Sequence, residues 1–380
     1  MKRFVLIASI FCTSVLMMAM PTSFVDEDNA EAHDRLICLS TGKDLDAPNR
    51  MLYSKQEWLK TKAEMNELFA DVPEALANTA AICDQVEFYS IDHAPIMPNF
   101  EIPEDFGTEE GYRQKYSEED LFNEFTQDEN GNVVLSEDEA HAKIDKLGGY
   151  DKLYRIKLEA DYLKKLALAG ARKRYGDVLN EETSERIKFE LHIMKTMGFP
   201  GYFLIVQDFI RAAREELDVS VGPGRGSAAG SVVAYCLRIT DVDPLRYDLL
   251  FERFLNPDRI SLPDIDVDFP DDKRDFIINY VKEKYGMEHV CYISAFGTFQ
   301  LKSSVRDLFR INGYDTKYIE TIIELLERKA THEEIMNELG SHPELIELIM
   351  IAKKIEGLPR QQGLHAAGII LNNDPLKDCI

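Results

Sequence analysis

The sequence predicts an α+β fold, and two observations carry that prediction. Apolar residues recur at helical spacing across 150–174, 181–197, 202–215, 275–284, 300–310 and 317–355. Between them lie short runs at 219–221, 260–269, 290–295 and 368–371 with the alternation or β-branching of strands. At 380 residues, with 45% hydrophobic and 29% charged residues, the chain has room for two or three globular domains.

Taken in order, Met1-Lys2-Arg3 precedes a largely apolar run over 4–20, the n-region and h-region of a signal peptide. Alone, this segment predicts export. Residues 25–100 read as a compact α-rich segment. One helix spans 58–69, with Trp58, Leu59, Met65, Leu68 and Phe69 apolar, and another spans 71–83 with Pro73 in its first turn. Residues 101–150 are acidic and turn-rich, including Asp128-Glu129-Asn130-Gly131-Asn132, and read as a connector or surface insertion. Gly198-Phe199-Pro200-Gly201 breaks the helical pattern, which resumes over 202–215 with Phe203, Val206, Phe209 and Ile210 on one face. The strand at 219–221 leads into a glycine-rich loop, and a helix over 228–237 opens from it.

The formal net charge of -24 argues against a general nucleic-acid coat, whose affinity comes from Lys and Arg neutralising phosphates. A local basic channel is compatible with it, and bound divalent metal offsets part of it. Cys12, Cys38, Cys83, Cys236, Cys291 and Cys379 are scattered, with no CxxC or Cys/His cluster. They read as reduced thiols of a cytosolic protein. Beyond the N-terminus no segment approaches a membrane span.

Two runs carry the chemistry. Leu262-Pro263-Asp264-Ile265-Asp266-Val267-Asp268-Phe269 places carboxylates at every second position. In an extended chain, alternate side chains share a face. The three aspartates therefore project together, opposite Ile265, Val267 and Phe269. Crowded carboxylates repel, and a hard cation such as Mg²⁺ or Mn²⁺ relieves the repulsion. The triplet also fits positions 1, 3 and 5 of an EF-hand, but Phe269 stands where glycine is needed and the flanks are strand-like. A plain solvated edge strand is the bland alternative.

The second run is Gly222-Pro223-Gly224-Arg225-Gly226-Ser227-Ala228-Ala229-Gly230-Ser231. Its glycines permit close backbone approach to a polyphosphate, Ser227 offers a hydroxyl, and Arg225 offers a charge-assisted bond. A tight turn packing helix on strand explains the same glycines. Gly224-x-Gly226-x-x-Ala229 also fits a dinucleotide fingerprint, but no clean second parallel strand with a terminal acid follows. Loop and carboxylates together point to metal-dependent phosphoryl or nucleotidyl transfer.

Five ordered motifs then carry a resemblance: Gly198 to Val206, Val221 to Ser231, Phe251-Glu252-Arg253-Phe254-Leu255-Asn256-Pro257, Pro263 to Phe269, and Phe296-Gly297-Thr298. Together they resemble the C-family of bacterial replicative DNA polymerases, the DNA polymerase III alpha subunits. Ala32-His33-Asp34 through Asn49-Arg50-Met51, Pro73 to Ala81, Arg360 to Gly363 and His365 to Gly368 resemble the same family. The likeness runs from about Asp26 to Ile380.

The resemblance implies a polymerase-β-like nucleotidyltransferase palm, a mixed sheet with helices, plus a helical thumb, preceded by the tail of a PHP domain. It divides the chain into a signal-like or mistranslated segment (1–24), PHP tail (25–100), acidic connector (101–150), palm (151–297), thumb (298–359) and start of the palm's return (360–380). The family's catalytic pair falls on Asp266 and Asp268, which hold two Mg²⁺ ions there. Gly226 and Ser227, with Arg225, correspond to the nucleotide-phosphate element. Lys302, Arg306 and Arg310 form a helical stripe suited to tracking a DNA backbone, or a solvated helix face.

The implied reaction is template-directed DNA polymerisation in the cytoplasm, with primer–template DNA and deoxynucleoside triphosphates as substrates. The implied partners are a sliding clamp and other replicase subunits. The family's third catalytic aspartate, its fingers and most of its PHP domain fall outside these 380 residues. A chain truncated at both ends and inactive alone is therefore expected. The signal-like start is read as a true leader on a truncated copy, a misplaced start, or a frameshift. Two rival readings are a template-independent nucleotidyltransferase and an exported acidic module that binds divalent cations.

Overall fold

The computed structural model describes residues 23–90, 97–256, 263–328 and 343–378. The signal-like stretch over 1–20, Cys12, Cys379 and part of the expected strand at 260–262 lie outside them. In chain order the helices are α1 (Ala30–Thr41), α2 (Lys62–Leu68), α3 (Pro73–Asp84), α4 (Glu109–Lys115), α5 (Glu118–Thr126), α6 (Glu137–Lys146) and α7 (Gly149–Tyr175). There follow α8 (Glu181–Thr196), α9 (Pro200–Glu215), α10 (Val232–Cys236), α11 (Arg274–Tyr285), α12 (Leu301–Ile311), α13 (Thr316–Glu327) and α14 (Pro343–Ile355). Among the described residues the strands are β1 (Val290–Thr298) and β2 (Pro359–Leu371).

The fold is thus mostly helical. Among the described residues the sheet is a single antiparallel pair, with Phe299 N–H bonded to Leu358 C=O at one end and Asn372 N–H to His289 C=O at the other. The expected mixed sheet is not formed there. Residues 219–221 and 263–269 run extended beside one another without becoming ladder strands. Pro223, Pro263 and Pro270 stand at or just past the ends of these segments, where proline has no N–H to extend a ladder.

The chain divides into two compact units. One combines residues 1–93 with 294–366. Its core joins Ala32 and Cys38 of α1 to Val305, Leu308 and Phe309 of α12, Ile319, Ile322 and Ile323 of α13, and Leu348, Ala352 and Ile355 of α14. The Arg50 guanidinium donates to both oxygens of Asp34, at 2.7 and 3.0 Å, and its Nε donates to the Leu45 carbonyl at 2.9 Å. This fixes the loop after α1. α2 starts later than its apolar pattern suggests: Thr61 caps it and Glu64 returns the bond to the Thr61 N–H, so Trp58 stays outside.

The other unit combines 94–293 with 367–380. The 27-residue α7 is its spine, with Leu153, Leu158, Leu163, Ala167 and Ala171 buried. α9 packs on it through Phe203, Leu204 and Ile210. The acidic stretch expected to be turns holds α4, α5 and α6. Thr108 caps α4, while Ser117 with Asp120 and Ser136 with Glu139 form capping boxes that start α5 and α6. Leu121, Phe125 and Ile144 then bury against α7 and its neighbours. Short polar helices look like turns when their few apolar residues are widely spaced.

Candidate functional site

The site is built where α9 hands over to the glycine-rich loop. Pro200 occupies the first turn of α9, and the helix ends near Glu215. The chain then turns through Val219 and Val221 into Gly222. Residues 226–230 form a short 3₁₀ helix, and Ser231 caps α10 by accepting from the Ala234 N–H at 3.0 Å. The expected helix over 228–237 is therefore two short pieces joined at Ser231.

Residues 263–269 run alongside this loop. Asp264, Asp266 and Asp268 are exposed, while Ile265, Val267 and Phe269 are half-buried against the core. The two-residue alternation read from the sequence is thus present in side-chain placement, although no ladder enforces it. Gly222 N–H donates to the Asp268 carbonyl at 3.0 Å. A Cβ on Gly222 would lie 2.9 Å from Asp268 Cβ, so only glycine allows this approach. Gly226 has φ +68°, and a Cβ there would face Asp266 Oδ2 at 3.2 Å.

Arg225 bridges loop and carboxylates. Its Nη2 donates to Asp266 Oδ1 at 3.3 Å, and its Nε lies 3.6 Å from Asp268 Oδ1. All three side chains keep roughly half or more of their surface in solvent: 64% for Arg225, 44% for Asp266 and 54% for Asp268. Ser227 is exposed on the same 3₁₀ turn. On the inner side, Tyr202 stands beside the Ile265 backbone N–H, and burial raises its hydroxyl pKa, with Asp264 and Asp266 adding to the rise.

Two carboxylates already converge on one cation, the Arg225 guanidinium. Their oxygens are hard and solvent-accessible, which suits a divalent ion that keeps most of its water. Among the described residues no group of three or more His, Cys, Asp or Glu converges. Asp266 and Asp268 alone would offer a divalent ion a partial site, one that further oxygen ligands would have to complete.

The basic stripe lies in the other unit. Lys302, Arg306 and Arg310 share the exposed face of α12, opposite buried Val305, Leu308 and Phe309. Arg306 pairs with Glu320 at 3.0 Å, and Arg310 lies 3.5 Å from Asp307. These acids offset part of the stripe's charge.

Glu190 and Asp208 are among the buried carboxylates not singled out from the sequence. Glu190 of α8 is fully buried and accepts from Ser231 Oγ at 2.7 Å, from Val232 and Val233 N–H at 3.0 Å, and from Arg186 Nε at 2.8 Å. Arg186 Nη2 also donates to the Gly230 and Leu249 carbonyls, at 3.1 and 3.0 Å. Asp208 of α9 accepts from Tyr280 Oη at 2.9 Å and from Lys284 Nζ at 2.5 Å, tying α9 to α11. A signal existed for Glu190: it lies on the helical face of Ile187 and Met194, where a charge needs a partner.

The glycine loop seated against a carboxylate pair is an arrangement that could accommodate a polyphosphate beside a hard cation. Comparison with known proteins narrows the class of protein. Residues 161–380 match the family model described as the bacterial DNA polymerase III alpha NTPase domain. The DNA polymerase III subunit alpha of Pseudomonas aeruginosa is 39% identical over 377 residues, which is 97% of this chain and 29% of that protein. Its counterpart in Campylobacter jejuni is 36% identical over 365 residues, 93% of this chain and 28% of that protein. The Escherichia coli O157:H7 protein of the same name is also 36% identical over 365 residues.

The chain belongs to the bacterial DNA polymerase III alpha family. It spans under a third of the length of these curated relatives, at 28 to 29%. No helix among the described residues is long and apolar enough to cross a membrane. Cys38, Cys83, Cys236 and Cys291 are free thiols.

Proposed function

We propose that this chain carries the nucleotide-binding and metal-binding part of a replicative DNA polymerase site. The reaction is template-directed transfer of a deoxynucleoside monophosphate to a primer 3′ end, releasing pyrophosphate. The observation that carries this reading is the seating of the Gly222–Ser231 loop against Asp266 and Asp268, through the Gly222 N–H bond to Asp268 and the Arg225 contacts to both carboxylates. Family membership favours it over a template-independent transferase or an exported cation-binding module.

Each residue then has a role its surroundings allow. Gly226 and Ser227 present backbone and hydroxyl donors to the triphosphate. Arg225, already held over the carboxylates, is free in solvent on its outer side and can turn to the phosphates. Asp266 and Asp268 would hold Mg²⁺, which when bound lowers the pKa of the primer hydroxyl and neutralises the leaving pyrophosphate. Ile265 and Val267, packed on the core, keep the two carboxylates facing the loop. The PHP-tail, palm and thumb assignments, the DNA role of Lys302, Arg306 and Arg310, the clamp and replicase partners, and a cytoplasmic setting belong to the same proposal.

The test is binding of a fluorescent deoxynucleoside triphosphate to the 380-residue chain with and without Mg²⁺. Mg²⁺-dependent binding that Asp266→Asn abolishes supports the reading. Binding indifferent to both Mg²⁺ and Asp266 overturns it. Primer extension by this chain alone is expected to be weak, since only two carboxylates converge on the site among the described residues. Vigorous Asp266-dependent extension would overturn that expectation.

A further inference from the structure

The Arg186–Glu190 pair sits beneath the glycine-rich loop, and its contacts are not those of an ordinary helix-surface ion pair. Arg186 and Glu190 are one turn apart on α8. The four contacts described above all donate into Glu190: the Ser231 hydroxyl, two backbone N–H groups of α10's first turn, and the Arg186 guanidinium. Burial raises the Glu190 pKa, while the four donors act in the opposite sense. Arg186 meanwhile grips two carbonyls: that of Gly230, the last residue of the 3₁₀ turn bearing Gly226 and Ser227, and that of Leu249.

The pair therefore holds one end of the loop to α8, while Gly222 ties the other end to Asp268. Between these anchors lie Arg225, Gly226 and Ser227. From this geometry we infer that Glu190, assisted by Arg186, is a positioning residue. It never touches the nucleotide, and it fixes the register of the Gly226–Ser227 cradle against the aspartate pair. The inference rests on the nucleotide-site reading given above.

The chemistry makes Glu190 hard to replace. A carboxylate offers two acceptor oxygens, and each here takes two donors. Glutamine keeps the shape but turns one acceptor into an NH₂ donor, facing either the Ser231 hydroxyl and Val233 N–H or the Arg186 and Val232 N–H groups. Two donors then lose their partners in a site with no solvent.

The experiment compares the 380-residue chain with its Glu190→Gln, Ser227→Ala and double variants. Two quantities are read: amide hydrogen exchange over 222–237 by mass spectrometry, and Mg²⁺-dependent binding of a fluorescent deoxynucleoside triphosphate. Far-UV circular dichroism shows that each variant is folded at the assay temperature. Glu190→Gln is expected to speed exchange across 226–233 by about tenfold and weaken triphosphate binding by about tenfold. In the Ser227→Ala background its effect on binding should shrink to about twofold or less, because the two act through one cradle.

Equal losses in both backgrounds would mean a general structural role and overturn the inference. Unchanged exchange at Val232 and Val233 would overturn it as well. If the unsubstituted chain binds no triphosphate, the nucleotide reading falls, and the positioning inference falls with it. Faster exchange in Glu190→Gln alone would then leave only a structural clamp.

Discussion

Arg225 donates to the Asp266 carboxylate across 3.3 Å, so a fixed cation of the chain occupies the place where a divalent ion would be drawn. Both groups are substantially exposed, and such pairs contribute at most about 1 kcal/mol. Arg225→Ala should therefore have opposite effects on two ligands. Mn²⁺ affinity, followed by electron paramagnetic resonance, should rise about two- to fivefold as the competing charge is removed. Triphosphate affinity should fall if the same arginine turns to the phosphates as proposed. Parallel changes in both would show that the arginine only holds the loop.

If the proposed site is right, Asp266→Asn and Asp268→Asn should each lower Mn²⁺ affinity by about tenfold or more, since each removes one of its two proposed carboxylate ligands. Both side chains are about half exposed, and their loss should leave the melting temperature within a degree or two. A large fall in melting temperature would make the pair structural.

Asp208 behaves differently. Its side chain is 6% exposed and neutralises Lys284 while accepting from Tyr280 and Arg211. Asp208→Ala removes the carboxylate that Lys284 and Tyr280 share, while Arg211 keeps Glu216 at 2.6 Å. Thermal or urea unfolding should show a loss of about 2–4 kcal/mol, the lower part reflecting the partial exposure of Lys284 and Arg211. Restoring neutrality with Lys284→Met should recover part of that loss.

Acid should act through His192. Burial, followed by the charge of Lys195, lowers its pKa from 6.5 to about 4. Below pH 6.5 the unfolded chain takes up a proton that the folded chain refuses until about pH 4. His192 thus weakens the fold progressively as pH falls through that window and has no such effect above it. Urea unfolding of His192→Gln should show a shallower loss of stability between pH 6.5 and 4 than the unsubstituted chain.

The features most legible in the sequence were those set by near neighbours. The break at Gly198-Phe199-Pro200-Gly201 separates α8 from α9 because Pro200 suits a first turn and Gly198 adopts φ +82°. The aspartate alternation also survived, because Ile265 and Val267 have a core to face. The ladder expected around it does not form among the described residues, although every residue of 219–221 and 264–269 carries an N–H. α1 escaped notice because its buried face is little more than Ala32, Ile37 and Cys38, completed by residues of α12 and α14 far along the chain. Asp208 and Glu190 were hidden for the same reason. Apart from Arg211 and Arg186 on their own helices, their partners lie 41 to 76 residues away, and only the fold brings those together.

The placement of Asp266 and Asp268 by alternation alone has a consequence for how this segment tolerates change in length. One residue inserted between Pro263 and Asp266 exchanges the two faces of everything on one side of it, delivering carboxylates to the core and isoleucine to the loop. Two residues inserted there restore the order. The segment therefore obeys a parity rule: even changes in length keep the site readable, and odd ones erase it without altering a single aspartate.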